Sequence, residues 1–221
     1  MSSSPNLFSY QLVMFDLDGT LVDSVPDLHA AITQALAELG LPKISEAQCR
    51  DYVGNGAARL VQRALYQEID APAEHPQFLV LLDAFYRAYK QTNGRCAEVY
   101  AGVFEVLNKL KAASIKTAIV TNKPYQFARP LLDQLRIDVD MLVGGDSINY
   151  KKPNPAPLVH VLASLEIEAK AALMVGDSSN DIVAARACGV KSLAVTYGYN
   201  HGVPIESCQP DYLVDSLLEL G

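Results

Sequence analysis

Short apolar runs alternate with amphipathic stretches through the C-terminal part of the chain. Apolar positions recur at helical spacing over 103–113, 127–135, 156–165 and 180–188, and each of these stretches is next to a compact apolar run. This alternation is typical of a parallel sheet with helices on both faces, so we predict an α/β fold with a doubly wound parallel sheet. The predicted strands are residues 12–15, 117–120, 141–143, 172–175 and 192–195, the last of which is predicted to end the sheet.

The chain between 21 and 93 has only helical patterns, interrupted by a glycine-containing turn at 53–57. Because this segment follows the first predicted strand, we interpret it as an inserted all-helical cap. The predicted division gives a catalytic core of residues 1–20 and 94–221 and a cap of residues 21–93. Ser24 or Asp23 is predicted to cap the first cap helix, which has Pro26 in its first turn.

Composition and charge exclude several classes of protein. The formal net charge is −7 and the pI is near 5.0, which argues against a general nucleic-acid binder. No apolar run approaches the roughly 20 residues of a membrane span, and the polar start at 1–11 does not resemble a signal peptide. The four cysteines are far apart and form no C-x-x-C pair. We therefore expect no zinc or redox site, no membrane partner and a cytoplasmic location.

Polar residues follow several predicted strands at the ends where ligands bind in doubly wound sheets. We expect these residues to converge. Carboxylates without Cys or His favour a hard cation such as Mg²⁺, and a lysine and a hydroxyl beside them suit the oxygens of a phosphoryl group. The residues concerned are Asp16, Asp18, Thr121, Asn122, Lys152, Asp177 and Asp181.

These residues lie in motifs that resemble, in the same order, the four motifs of the haloacid dehalogenase superfamily. The chain also resembles the bacterial phosphoglycolate phosphatases around Gly54–Gly56 and in the segments at 144–146 and 196–200. This similarity runs over most of the chain. The four motifs are Phe15-Asp16-Leu17-Asp18-Gly19-Thr20, Val120-Thr121-Asn122-Lys123, Lys152-Pro153 and Gly176-Asp177-Ser178-Ser179-Asn180-Asp181.

The resemblance implies an Mg²⁺-dependent phosphatase that acts on a small phosphomonoester, with 2-phosphoglycolate as the expected substrate. Asp16 would be the nucleophile and Asp18 the general acid and base. Thr121 and Lys152 would bind phosphoryl oxygens, and Asn122 would contact substrate beside them.

The resemblance also implies how the metal and the cap would take part. Mg²⁺ would be held by a carboxylate oxygen of Asp16, the backbone carbonyl of Asp18 and Asp177, with Asp181 in support. The loop formed by Gly54, Asn55 and Gly56 is the candidate cap element for the organic end of the substrate.

Several alternatives stay open at this stage. Lys151 competes with Lys152 for the lysine role, and the Gly54–Gly56 turn could simply join two helices. Arg59 and Arg63 could reach a substrate carboxylate or could lie in solvent. The same residues serve sugar-phosphate phosphatases, β-phosphoglucomutase-like enzymes and pyrophosphatases, and a non-catalytic phosphate-binding relative is a further alternative.

Overall fold

A computed structural model describes residues 5–220. Residues 1–4 of the polar start lie outside the described residues. The main sheet has six parallel strands, which are β1 (Leu12–Phe15), β4 (Lys116–Val120), β5 (Met141–Val143), β6 (Ala172–Gly176), β7 (Lys191–Val195) and β8 (Tyr212–Val214). Their order in the sheet is β5-β4-β1-β6-β7-β8, which confirms the predicted α/β fold.

Helices cover both faces of the sheet. The side chains of β1 point alternately to these two faces and pack in two separate hydrophobic clusters. Val13 and Phe15 pack in one cluster, whereas Leu12 and Met14 pack in the other. The helices of the core begin and end within two residues of the predicted positions. They are α5 (Val103–Ala112), α6 (Tyr125–Leu135), α7 (Ala156–Leu165) and α8 (Ser179–Ala187).

The prediction that the sheet ends at 192–195 is wrong. The strand β8 follows and pairs in parallel with β7, with Leu213 opposite Ala194. This strand has only three residues at the edge of the sheet. The chain between β7 and β8 contains only a short 3-10 helix at Ile205–Cys208, so the alternation of strand and α-helix that indicates the other strands is absent here.

Four of the five α-helices between β1 and β4 form the cap. They share a hydrophobic cluster that is closed by Phe127 and Tyr199 from outside the cap. Burial of Leu81 and Phe85 on one side of the longest of these helices accounts for its helical spacing of apolar residues. The cap helices are α1 (Val25–Glu38), α2 (Glu46–Tyr52), α3 (Ala57–Tyr66) and α4 (Phe78–Thr92).

Two short strands, β2 (Val22–Asp23) and β3 (Glu98–Val99), pair antiparallel where the chain enters and leaves the cap. The buried Asp27 carboxylate joins the same two segments, because it accepts hydrogen bonds from the backbone N–H groups of Gly94, Cys96 and Ala97 at 2.7, 2.8 and 3.2 Å. The entering and leaving segments are therefore bound to each other beside the sheet. No helix within residues 5–220 combines the length and the apolar character that a membrane span requires.

Candidate active site

Three adjacent strands deliver the central polar residues to one edge of the sheet. Asp16 follows β1, Thr121 follows β4 and Asp177 follows β6, and all three side chains are buried. The strands β4 and β6 lie on either side of β1, so the residues that follow them are neighbours in space. The predicted convergence of strand-end residues is therefore observed for these three positions.

A cluster of three buried carboxylates lies at this edge. One carboxylate oxygen from each of Asp16, Asp177 and Asp181 lies within 4.8 Å of the other two. Asp181 projects from the first turn of α8, where its Oδ2 accepts hydrogen bonds from the backbone N–H and hydroxyl of Ser178. Three carboxylates in such a small buried volume require positive charge. Their oxygen atoms fit a divalent cation that prefers oxygen ligands.

Burial raises the pKa of Asp16 to about 7, although Lys152 opposes the shift. Burial also raises the pKa of Asp177 well above its ordinary value, and the nearby charges of Asp16 and Asp181 add to this shift. The ionised forms are therefore disfavoured as long as no cation is bound.

This charge balance predicts how pH affects stability in the absence of a cation. Unfolded aspartate ionises near pH 4, whereas folded Asp16 ionises at about pH 7. The folded chain retains the extra proton between these values, so its stability should fall as pH rises through this window. A divalent cation favours the ionised carboxylates, so the gain in Tm on adding Mg²⁺ should grow between pH 4.5 and 7.5.

Thermal unfolding in EDTA and in Mg²⁺, at several pH values, measures this gain in Tm. Because the two conditions are compared at the same pH, the effect of groups remote from the site cancels. Asp177→Asn should reduce the gain in Tm at pH 7.5. An equal gain at both ends of the pH range would contradict the assignment of these carboxylates to a cation site.

Lys152 supplies the positive charge that the structure contains at the cluster. Its ammonium lies 2.6 Å from Asp181 Oδ1 and 3.1 Å from Asp16 Oδ1. Burial alone would lower the pKa of Lys152, but the two carboxylates outweigh it and raise the pKa. The side chain of Lys151 is exposed. Of the two candidate lysines, Lys152 is the one that contacts the cluster.

The carboxylate of Asp18 has hydrogen-bond partners outside the carboxylate cluster. Its Oδ1 accepts hydrogen bonds from the Ser24 hydroxyl at 2.6 Å and from the Lys123 ammonium at 2.9 Å.

The side chain of Ser24 or Asp23 is a predicted cap for α1, and the structure does not show this bond for Ser24. Ser24 is the N-cap residue, but its backbone is already helical and its hydroxyl makes no capping bond. The hydroxyl instead links the cap to Asp18.

Lys123 is a site residue to which the sequence assigns no role, although it belongs to the second motif. It is buried, and it follows Thr121 and Asn122 at the end of a strand. Burial alone would lower the pKa of Lys123, but Asp18 and Tyr89 hold it above the ordinary value. Lys123 is therefore a permanent cation beside Asp18.

Asn122 links the cap to the loop that carries Lys152. Its side-chain amide donates to the backbone carbonyls of Gly54 and Lys152, each at 2.9 Å, and its buried Oδ1 has no partner among residues 5–220. Thr121 lies beside it, with its hydroxyl accepting a hydrogen bond from the backbone N–H of Lys123 at 3.2 Å. The unpartnered oxygen of Asn122 leaves an acceptor in a buried position.

The turn of Gly54, Asn55 and Gly56 contacts the core. The carbonyl of Gly54 accepts a second hydrogen bond from Asn180 at 3.3 Å, and Asn55 donates to Asn180 Oδ1 at 3.1 Å. Both glycines have positive φ, and a Cβ at Gly56 would lie 3.0 Å from the backbone oxygen of Asn122. This turn therefore does more than join α2 and α3.

A cavity with about 440 Å³ of free space, part of it open to solvent, lies between the cap turn and the sheet edge. The side chains of Asp16, Asp18 and Thr121 face it from the core. Its cap side is mostly apolar, with Leu28 and Leu60 among the lining residues. A polar floor under an apolar wall is the usual composition of a small-molecule site.

Arg59 and Arg63 lie elsewhere, and neither lines the cavity among the described residues. Arg63 is buried and donates to the carbonyls of Tyr52 and Ile69 at 2.8 and 2.9 Å. Arg59 donates to the carbonyls of Ile69 and Ala71. Burial and the charge of Arg59 lower the pKa of Arg63 to about 10. Both arginines hold the loop after α3 in place.

Comparison with known proteins assigns the family. The model of the haloacid dehalogenase-like hydrolases matches residues 13–195. A phosphoglycolate phosphatase of Vibrio parahaemolyticus is 46% identical over 218 residues, covering 95% of this chain and 94% of the relative. Phosphoglycolate phosphatase 1 of Pseudomonas aeruginosa is 44% identical over 213 residues, covering 95% and 78%.

A solved structure from Haemophilus somnus, described as a predicted phosphoglycolate phosphatase, has a TM-score of 0.89 and 36% identity, with 96% of each chain covered. The similarity thus covers nearly the whole chain, including both the core and the cap. The chain belongs to the haloacid dehalogenase-like hydrolase family.

Proposed function

We propose that this hydrolase converts 2-phosphoglycolate to glycolate and phosphate with Mg²⁺ as its cofactor. One observation carries the proposal. Asp16, next to the ammonium of Lys152, and Asp18, held from the cap by Ser24, both face one small cavity. Relatives with more than 40% identity over most of their length are named phosphoglycolate phosphatase. The net charge of −7 favours a small substrate over nucleic acid.

The first half of the proposed reaction uses Asp16 as nucleophile. An oxygen of Asp16 attacks phosphorus, the bond from phosphorus to the ester oxygen breaks, and Asp18 donates a proton to that oxygen. Thr121 and Lys152 bind phosphoryl oxygens, and the charge of Lys152 favours the ionised form of Asp16 against the effect of burial on its pKa. The backbone N–H of Leu17 donates to Asp16 Oδ1 at 2.7 Å and orients the carboxylate.

In the second half, water attacks the phosphorus of the aspartyl-phosphate while Asp18 accepts its proton. The bond between Asp16 and phosphorus breaks, and phosphate leaves. Mg²⁺ would be held by Asp16, Asp177 and the backbone carbonyl of Asp18, and it would neutralise phosphoryl charge. Asp181 supports the site by fixing Lys152.

The proposed role of the cap is to cover the substrate. We retain the division into a core of residues 1–20 and 94–221 and a cap of residues 21–93 as part of this proposal. The turn of Gly54, Asn55 and Gly56, together with Asn122, would contact the organic part of the substrate and exclude water. Four free cysteines fit the proposed cytoplasmic location.

The test is kcat/KM with Mg²⁺ for 2-phosphoglycolate, a hexose phosphate, a ribose phosphate and pyrophosphate. A preference for 2-phosphoglycolate of about 100-fold, worth about 2.7 kcal/mol, supports the proposal. Loss of activity in EDTA and its return with Mg²⁺ supports the cofactor. A flat profile or a preference for a sugar phosphate would show that 2-phosphoglycolate is not the preferred substrate. No hydrolysis of any ester would favour a phosphate-binding protein.

Gly19 tests the link between the first motif and the cation site. It has a φ of +90°, and a Cβ there would lie 2.2 Å from Asp177 Oδ2. Gly19→Ala should therefore displace Asp177, with kcat/KM about 100-fold lower and a higher Mg²⁺ concentration for half-activation.

Gly40→Ala is the matched control for Gly19→Ala. Gly40 has a φ of +66° but open space around the position of a Cβ. The control should lose stability through backbone strain alone, about 1 kcal/mol, and should keep kcat/KM. Normal Mg²⁺ activation in Gly19→Ala would contradict the predicted displacement.

A further inference from the structure

Lys123 faces the cavity but has no part in the reaction described above. Its side chain is only 3% exposed. The ammonium donates to both oxygens of Asp18, at 2.9 and 3.3 Å, and to the hydroxyl of Tyr89. It also lies 4.8 Å from the centre of the Tyr89 ring. A buried cation is expensive to maintain, so its position beside the proposed acid requires an explanation.

Among the described residues that line the cavity, Lys123 is the only one with a cationic side chain. Lys152 is bound to Asp16 and Asp181 at the phosphoryl end, and Arg59 and Arg63 are bound to carbonyls of the cap. The cap wall is mostly apolar. Among these lining residues, Lys123 is therefore the cation that a negative charge on the organic part of a substrate can bind.

The distances place Lys123 where such a charge would be. The ester oxygen of the substrate has to come within hydrogen-bond distance of Asp18, about 3 Å, to receive a proton. In the phosphate ester of a 2-hydroxy acid, the carboxyl carbon is two covalent bonds from that oxygen. Lys123 lies 2.9 Å from Asp18 Oδ1 and so is next to the expected position of the carboxylate.

The contacts of Asp18 indicate how the ammonium becomes available. Asp18 Oδ1 accepts hydrogen bonds from the Ser24 hydroxyl and the Lys123 ammonium, whereas Oδ2 lies farther from that ammonium. When Asp18 binds the ester oxygen, it cannot keep all of these contacts. Lys123 retains the hydroxyl of Tyr89 and can direct another N–H to the substrate.

We propose that Lys123 is a specificity-determining residue that binds the leaving-group carboxylate and selects phosphate esters of short hydroxy acids. This inference rests on the proposed function and identifies the group that recognises its substrate. Tyr89 acts as a positioning residue, because its hydroxyl and ring hold the ammonium in the cavity.

The experiment compares 2-phosphoglycolate with 2-hydroxyethyl phosphate, which has similar length but no carboxylate, in the Mg²⁺-loaded enzyme. 3-Phosphoglycerate serves as a second carboxylated ester. Lys123→Met removes the charge and keeps much of the stem, whereas Lys123→Arg keeps the charge. The readout is the ratio of kcat/KM for carboxylated and uncharged leaving groups, because a general defect at Asp18 lowers both values equally.

Lys123→Met should reduce this ratio by about 100-fold, mainly through KM, and Lys123→Arg should restore much of it. An unchanged ratio in Lys123→Met would overturn the inference. If Lys123→Met does not fold, inhibition of the wild-type enzyme by glycolate and by ethylene glycol replaces it. Equal inhibition by the two alcohols would then overturn the inference.

The failures of the two proposals are distinguishable. A wild-type enzyme that prefers 2-phosphoglycolate, with a ratio insensitive to Lys123, keeps the proposed function and overturns the role of Lys123. A preference for 3-phosphoglycerate that is lost in Lys123→Met overturns the proposed substrate and supports the role of Lys123. A wild-type enzyme with no preference for either carboxylated ester overturns both.

Discussion

Asp16→Asn should abolish turnover of 2-phosphoglycolate, with kcat lower by at least about 10,000-fold. Asparagine has nearly the same shape as aspartate, but its neutral amide is a very poor nucleophile towards phosphorus. The backbone contact with Leu17 and the nearby Lys152 fix the position of the Asp16 side chain. The loss therefore reports the missing nucleophile more than a changed geometry.

Asp133→Asn provides the matched control for Asp16→Asn. Asp133 lies on the exposed side of α6, and its side chain pairs with Arg129 four residues earlier. An exposed pair of this kind contributes little, so kcat should stay within about twofold. Mass spectrometry should exclude deamidation of the new asparagine. Near-normal kcat in an intact, folded Asp16→Asn protein would disprove the covalent mechanism.

Lys152→Met should lower both activity and stability. Its removal leaves Asp16 and Asp181 buried without the ammonium that now lies within 3.1 Å of each. Loss of one partner of a buried ion pair costs about 3–5 kcal/mol, which thermal or urea unfolding in EDTA should detect. Because phosphoryl charge also loses a binding partner, kcat should fall by about 100- to 1,000-fold.

The neighbouring Lys151 offers a stringent control for this prediction. Lys151→Met makes the same chemical change one residue earlier, on an exposed side chain. Its effect on stability should stay within about 0.5 kcal/mol, and kcat should not change. Equal effects of the two substitutions would show that Lys152 has no special role at the cluster.

The sequence predicts the sheet and the positions of the main polar residues well, for a physical reason. Buried parallel strands are apolar runs that are easy to detect, and Asp16, Thr121 and Asp177 directly follow such runs. Parallel strands end at a common edge. The convergence of the three residues therefore requires only the fold class and the adjacency of three strands.

The contacts of Asp18 are beyond such reasoning. The Ser24 hydroxyl could cap α1, and helix signals alone favour that outcome. The choice of Asp18 instead depends on the exact backbone conformation of Ser24 and on how the cap meets the sheet. Lys123 reaches Asp18 from the end of a different strand, β4.

The arginines of α3 show a second kind of limit. Helical spacing places Arg59 and Arg63 on one side of α3 but does not reveal their partners. Both donate to the backbone carbonyl of Ile69 in the loop that follows the same helix, and Arg63 also donates to that of Tyr52 at the end of α2. Irregular loops have no periodic pattern, so the direction of their carbonyls cannot be derived from residue types.

The central position of β1 also has a consequence for the order of events during folding. Phe15, which precedes Asp16, aligns with Ile119 on one side and with Val175 on the other. Both pairings close very long loops, and such non-local contacts form slowly compared with local helices. Helical structure should therefore appear early in refolding, whereas catalytic activity should appear only with the last parallel pairings. Recovery of enzymatic activity would then serve as a clock for completion of the sheet.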